Sequence, residues 1–394
     1  MIYGEELGAG GISTKTIPPQ GLNLTLKGGN GKIDCTFTGI TSEWLYLGQY
    51  YRLIAKPGSA PTSPMDGVQI KDVQVGAIGD AVISASIEGL TNGVQYYVRL
   101  YVRGENGWQT SVDAVGTATP TAGLLVADMP VGTLIVDPES KYYNAPIVWK
   151  IADIDHHLLD AGYPADAATL ISDKAIKLCC FDAKEPNNSD SSRKTSGNNR
   201  YIYSNIRQWL NGAASAGNWY GAQHSADAPP TNANVQNNYN EYSADVGFQN
   251  GFSAEFRNAL LNTAITVGRA AIDGGGTETC IDKMYLASCT EVNLTGSVTC
   301  GSRLSIFTDD ASRQTSQTPE CAANSEKNTY GGYWLRDAYA SSTYNVYSCR
   351  PSGIYNSQAF YYGYGIRPLC NISKSTLLSP DQNADGTYSI IGFA

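Results

Sequence analysis

The sequence predicts a multidomain protein: an all-β sandwich followed by an α+β domain. Three observations predict it. Residues 18–121 carry short alternating runs of apolar and polar residues, broken by Gly and Asn turns, which is the pattern of a sandwich. Ala118-Thr-Pro-Thr-Ala-Gly123 has the composition of a linker. From residue 124 to 394 strand-like runs mix with segments of helical spacing.

Composition bounds the function. A chain of 394 residues with 42% hydrophobic content can bury two or three cores. The net charge of −9 argues against nucleic acid as a partner, because phosphate binding needs a basic face. Met1-Ile-Tyr-Gly-Glu-Glu6 has neither a basic nor an apolar region of a signal peptide, so none is expected. No run approaches the roughly 18 apolar residues of a spanning helix, so no membrane insertion is expected. Nine cysteines at irregular spacing, without a Cys-x-x-Cys pair, read as reduced and mostly buried.

Taken in order, residues 1–17 are Gly-rich and read as an arm or linker. Strands are expected at Leu22–Lys27, Ile33–Phe37, Tyr50–Ile54, Ala81–Ile87 and Tyr96–Val102. In the second domain, Val131–Val136 and Ile147–Ile151 read as strands. Ala168–Cys180 reads as a helix or a helix plus a strand. Ser204–Asn211 and Phe252–Leu261 read as short helices capped by Ser204 and Ser253. Ile281–Ala287 reads as a buried strand. The polar interval 187–250 reads as an extended loop or functional insertion.

Residues 333–370 organise the rest. Tyr333-Trp-Leu-Arg336 and Gly365-Ile-Arg-Pro-Leu369 are apolar ends, and between them lie Tyr, Ser, Asn and Gly. From Asp337 to Tyr364 there is no Lys, Glu, Trp or Met, and seven tyrosines. Tyr supplies rigid amphipathic contact area, and the small polar residues supply adaptable hydrogen bonds. The aliphatic alternation of a buried strand pair is missing, so many of these side chains are expected to face outward.

Leu90-Thr-Asn-Gly93-Val-Gln-Tyr96-Tyr-Val98 resembles the fibronectin type III pattern, with Tyr96 as its corner tyrosine. The resemblance covers the first domain and implies a spacer. The second domain resembles the C-type-lectin-like domains, related in fold to formylglycine-generating-enzyme-type domains, that serve as variable proteins of phage diversity-generating retroelements. The resemblance rests on Phe181–Asn187, Gly197–Tyr201, Ser204–Asn211, Trp219–His224, Asp282–Ser288, Tyr333–Arg336 and Gly365–Pro368, in that order.

In that family a reverse transcriptase rewrites codons at adenines. Asn codons of the form AAC cannot become Lys, Glu, Gln, Trp or Met. The content of 337–364 fits, with Gln358 taken as fixed scaffold. The resemblance implies a variable ligand-binding surface at Tyr339, Ser342, Tyr344, Asn345, Tyr347, Arg350, Tyr355, Asn356, Ser357, Phe360, Tyr361, Tyr362 and Tyr364. It implies a fixed frame of Trp334, Leu335, Arg336, Gly353, Ile366, Arg367 and Pro368. It further implies a phage tail or fibre-tip adhesin, made in the host cytoplasm and carried on the virion. Its partners would be a host cell-surface protein or glycan and other tail proteins, with a homotrimer as the expected assembly. A bacterial surface adhesin of the same fold is the alternative.

Chemistry is expected to be absent, with no cofactor and no metal. Asp153-x-Asp155-His156-His157 reads as a satisfied polar loop rather than a metal site. Glu185-Pro186-Asn187 spells the calcium-and-sugar tripeptide of C-type lectins but stands far upstream of the C-terminal strands. Asp381-Gln-Asn383-Ala-Asp385-Gly386 begins like an EF-hand loop, yet Gly392 stands where the bidentate Glu is needed, so a hairpin turn is expected. An enzyme of the formylglycine-generating type would need a reactive Cys pair. Cys349 and Cys370 are candidates by position only, and nothing pairs them with a base.

Overall fold

The computed structural model describes residues 21–38, 50–74, 82–104, 107–111, 113–120, 123–350 and 353–393. The expected arm at 1–17 lies outside the described residues. The chain divides into two compact units, Met1–Gly123 and Leu124–Ala394. Both are built mainly from β-strands with few short helices. Among the described residues no helix is long and apolar enough to cross a membrane.

The first unit contains β1 (Thr25–Gly29), β2 (Lys32–Thr38), β3 (Tyr50–Pro57), β4 (Gln69–Gln74), β5 (Val82–Glu88), β6 (Tyr96–Gly104), β7 (Gly107–Gln109) and β8 (Val115–Ala118). One sheet has the order β1-β2-β5; the other has β4-β3-β6-β7, with β8 also paired to β6. Along β2 the alternation is strict: Ile33, Cys35 and Phe37 are buried and their neighbours are half-exposed. They meet Tyr51, Leu53, Val98 and Leu100 of the other sheet in one core. Tyr96 is buried, and its hydroxyl accepts a hydrogen bond from the Thr91 N–H at 3.1 Å. That bond fixes the chain entering β6. Strand β4 has no expected counterpart, because its mostly exposed side chains carry no apolar alternation.

The second unit contains β9 (Leu124–Leu125), β10 (Leu134–Tyr142), β11 (Ala145–Ile154), β12 (Ala167–Ser172), β13 (Lys177–Leu178), β14 (Thr263–Gly268), β15 (Thr277–Asp282) and β16 (Met284–Tyr285). It continues with β17 (Tyr333–Ala338), β18 (Asn345–Arg350), β19 (Gly353–Gln358), β20 (Gly365–Ile366), β21 (Leu369–Ser373), β22 (Leu377–Leu378) and β23 (Tyr388–Gly392). Its α-helices are α1 (Ser191–Ser196), α2 (Asn205–Leu210), α3 (Ala254–Ala259), α4 (Asp310–Arg313) and α5 (Pro319–Ala323). A large sheet runs β16-β21-β12-β11-β10-β23-β22-β9. A second runs β13-β20-β17-β18-β19, and β14 pairs with β15. Trp149, Trp209, Phe256 and Trp334 belong to one buried cluster.

Two expectations need correction here. Ala168–Cys180 is two strands, β12 and β13, with no helix. Every residue of β12 is buried; a strand covered on both faces has no polar alternation and cannot be told from a helix by periodicity. Ile281 is not buried: it is 64% exposed in β15, which pairs with β14, while Met284 and Tyr285 of the expected strand pair with β21 in the large sheet. The helices at Ser204 and Ser253 do form, and each serine side chain accepts a backbone N–H at the first turn. The interval 187–250 holds α1, α2 and several 3₁₀ turns rather than loop alone. Before β23, Asn383 N–H bonds Thr387 O at 2.8 Å and Gly386 N–H bonds Asn383 O at 2.9 Å, closing a turn.

Candidate functional site

The hairpin of β18 and β19 ends the five-stranded sheet, with β17 behind it. All six residues of β17 are buried. Trp334 is fully buried, donates from Nε1 to the Cys179 carbonyl at 2.9 Å, and packs on Phe181 and Tyr364. Arg336 is fully buried and grips Glu291 with two bonds, at 2.6 and 2.7 Å. It also donates to the carbonyls of Thr266 and Leu286. Desolvation works against the Arg336 charge, but the Glu291 carboxylate outweighs it and the guanidinium stays ionised. Arg367 donates to the Ser172 carbonyl and lies over the rings of Tyr333 and Phe307. Pro368 is buried, and its carbonyl accepts the Ser172 N–H at 3.0 Å. Gly353 opens β19 at φ 128°, a left-handed conformation that favours glycine. The expected frame is thus tied down at both ends of residues 337–364.

The thirteen expected contact residues divide. Tyr355 and Asn356 are exposed; Tyr339, Ser342, Tyr344, Asn345, Arg350, Ser357 and Tyr361 are half-buried. Register pairs Asn345 with Gln358, Tyr347 with Asn356, and Ser348 with Tyr355. Partners across a ladder point to the same side, so the residues flank both faces of the edge. Tyr339 and Asn356 lie on one face, and Arg350, Tyr355 and Ser357 on the other. Around the strand end, Tyr344, Asn345, Asn356, Ser357, Gln358 and Tyr361 line a shallow depression. Arg350 is the sole Lys or Arg between 337 and 364, and its guanidinium sits 4.2 Å over the Tyr355 ring.

Four expected contact residues are corrected to buried ones. Tyr364 is fully buried: its ring covers Trp334, and its hydroxyl accepts bonds from Arg350 and Ser357. Tyr347 meets Tyr339 edge-on, and its hydroxyl bonds Ser297 Oγ at 2.9 Å. Phe360 lies beneath the Lys184 ammonium, and Tyr362 meets Tyr239 edge-on. Each has a partner outside its own strand or turn: Trp334, Ser297, Lys184 and Tyr239 respectively.

Residues without an assigned role hold the loop between β17 and β18. Asn199 Nδ2 donates to the carbonyls of Ser342 and Asn345, at 2.7 and 3.0 Å. Arg193 donates to the Thr343 carbonyl and pairs with Asp273 at 2.5 Å. Asp190 accepts from the Thr343 hydroxyl while capping α1. Asn199 lies in Gly197–Tyr201, where no local pattern reveals that its amide clamps a loop more than a hundred residues on.

The one group of metal-type donors among the described residues is Glu185, His224 and Asp227, whose donor atoms lie within 4.8 Å of one another. Hydrogen bonds already engage it. Glu185 accepts from Asn188 and Asn198. His224 Nδ1 accepts from the Ala226 N–H, and its Nε2 faces Glu185 Oε1 at 2.8 Å. Asp182, beside it, accepts the N–H groups of Asn198 and Asn205. At the other histidines, the Asp153 carboxylate accepts from Ser305 and lies 2.7 Å from His156 Nδ1. Cys349 and Cys370 stand on β18 and β21, in different sheets, and burial pushes both thiols up. This arrangement supplies no thiolate pair.

The chain is a β-rich protein of two units whose second unit holds the candidate site. It belongs to the family described as Domain of unknown function (DUF6273), which matches residues 166–374 and so takes in the clamp, the frame and the edge hairpin. No curated protein matches the chain. No solved structure matches it.

Proposed function

We propose that this chain is a receptor-binding protein whose second unit displays an exchangeable surface on the β18–β19 hairpin. The observation that carries the reading is the contrast within one stretch. Nine Tyr, Ser, Asn and Arg side chains reach the surface, while Trp334, Arg336 and Arg367 beside them are buried and bonded. Such a platform lets contact residues change without disturbing the core. On this reading the second unit is a C-type-lectin-like domain and the variable protein of a phage diversity-generating retroelement. The first unit is a fibronectin type III-like spacer; the order β1-β2-β5 against β4-β3-β6 and the Thr91–Tyr96 bond support that. The protein would sit at a phage tail or fibre tip, as a homotrimer, and recognise a host surface protein or glycan without enzymatic activity.

The test is the gene in sibling isolates. Substitutions should crowd into Tyr339, Ser342, Tyr344, Asn345, Arg350, Tyr355, Asn356, Ser357 and Tyr361, beside a reverse transcriptase gene and a template repeat. Substitutions scattered evenly over the unit, with no such neighbours, would end the proposal.

A further inference from the structure

Strand β19 is the last of its sheet. Ala359 N–H bonds Tyr344 O at 2.8 Å, and the register continues with Ser357 opposite Val346 and Tyr355 opposite Ser348. Antiparallel ladders bond every second pair. Ser357 and Tyr355 therefore face β18 with their main-chain groups, and Ile354 and Asn356 turn theirs to the open edge. Among the described residues β19 pairs with β18 alone, and no other main-chain bond reaches the N–H of Ile354 or Asn356.

Proteins usually guard such edges with charge, proline or a bulge. Strand β15, also six residues long, is guarded: its Glu278 and Asp282 are held by Arg200 and Arg207. Strand β19 reads Gly-Ile-Tyr-Asn-Ser-Gln, with no charge and no proline, and pairs with β18 without a register shift. It presents donors and acceptors repeating about every 6.8 Å, the two-residue step of a strand. An extended polypeptide matches that period along its length; the hydroxyls of a sugar do not.

We infer that β19 takes an extended peptide segment of the ligand onto its open edge as an added strand. The inference rests on the reading of this hairpin as a ligand surface and names the ligand class as polypeptide. The main chain of Ile354 and Asn356 supplies an anchor that side-chain exchange leaves intact. Tyr344, Asn345 and Tyr361 around the strand end then select among peptide sequences, the division of labour found in strand addition generally.

The test selects a random twelve-residue peptide library on the immobilised full chain. Enriched peptides are then measured against the unchanged protein, Asn356→Pro and Asn356→Ala. Proline removes the outward N–H, which an edge strand tolerates; it also removes the side-chain bond from Asn345 Nδ2, which Asn356→Ala removes alone. The expected result is binding weakened about tenfold by Asn356→Pro, the worth of one main-chain bond, and less than about threefold by Asn356→Ala. Hydrogen exchange at the Ile354 and Asn356 amides of the unchanged protein should slow in the complex, a readout that stands even if the proline variant fails to fold. Equal binding by Asn356→Pro with unprotected amides would overturn the inference. Failure to enrich any peptide would overturn it too, and would leave the sibling-gene comparison to judge the receptor-binding reading separately.

Discussion

Removing the Tyr364 ring is expected to unseat Trp334, which it covers. Tyr364→Ala should cost about 3–5 kcal/mol, the range for a large buried ring, read from urea unfolding. Tyr355→Ala, at an exposed site, should stay within about 0.5 kcal/mol. Equal losses would mean that the two tyrosines play the same part. Glu291→Ala would leave the Arg336 guanidinium buried and uncompensated, at about 3–5 kcal/mol by the same measurement. The acidic cluster gives a pH signature. Burial first, then the neighbouring Glu185 and Asp227, hold the Asp182 carboxyl well above the usual carboxylate range. A folded-state value above the unfolded one means that the folded protein holds the proton more tightly. Its contribution is complete below the unfolded value, near 4, and is lost as pH rises toward the folded value. The stability of the unchanged protein relative to Asp182→Asn should therefore fall as pH is raised from about 4. A difference that stays flat would contradict the assignment.

Elements carry the next scale. The loop from Ala340 to Tyr344 keeps its shape because Asn199 and Arg193 reach its carbonyls. Asn199→Ala should speed amide exchange in that loop and cost about 1–3 kcal/mol, since two acceptors lose their donor. Unchanged exchange would show the clamp to be idle. The missing aliphatic alternation made β19 legible as surface, but it misread β18, whose four central residues are buried. It could not separate Tyr355 from Tyr364. A tyrosine is amphipathic, and its burial depends on whether a distant residue covers the ring and another satisfies the hydroxyl. For Tyr364 these are Trp334, Arg350 and Ser357; for Tyr347 they include Tyr339 and Ser297. Ala167–Ser172 was opaque for a related reason: covered on both faces, it offers no period to read. The capped helices at Ser204 and Ser253 were legible because cap and apolar face are both local.

At the scale of the molecule, the chain divides into two units between Gly123 and Leu124. Each unit has its own buried cluster. Residues 124–394 expressed alone should therefore unfold in one cooperative transition and keep whatever binding the whole chain has. A segment that aggregates or lacks a transition would contradict that independence. The account as a whole depends on a frame that tolerates exchange at its surface. The direct measurement is a library randomised together at Tyr339, Ser342, Tyr344, Asn345, Arg350, Tyr355, Asn356, Ser357 and Tyr361, sorted by resistance to proteolysis and set beside single changes at Trp334, Arg336, Tyr364 and Arg367. Most library members should remain folded while the single frame changes fail. If the nine surface positions prove as intolerant as the four frame positions, the account is wrong.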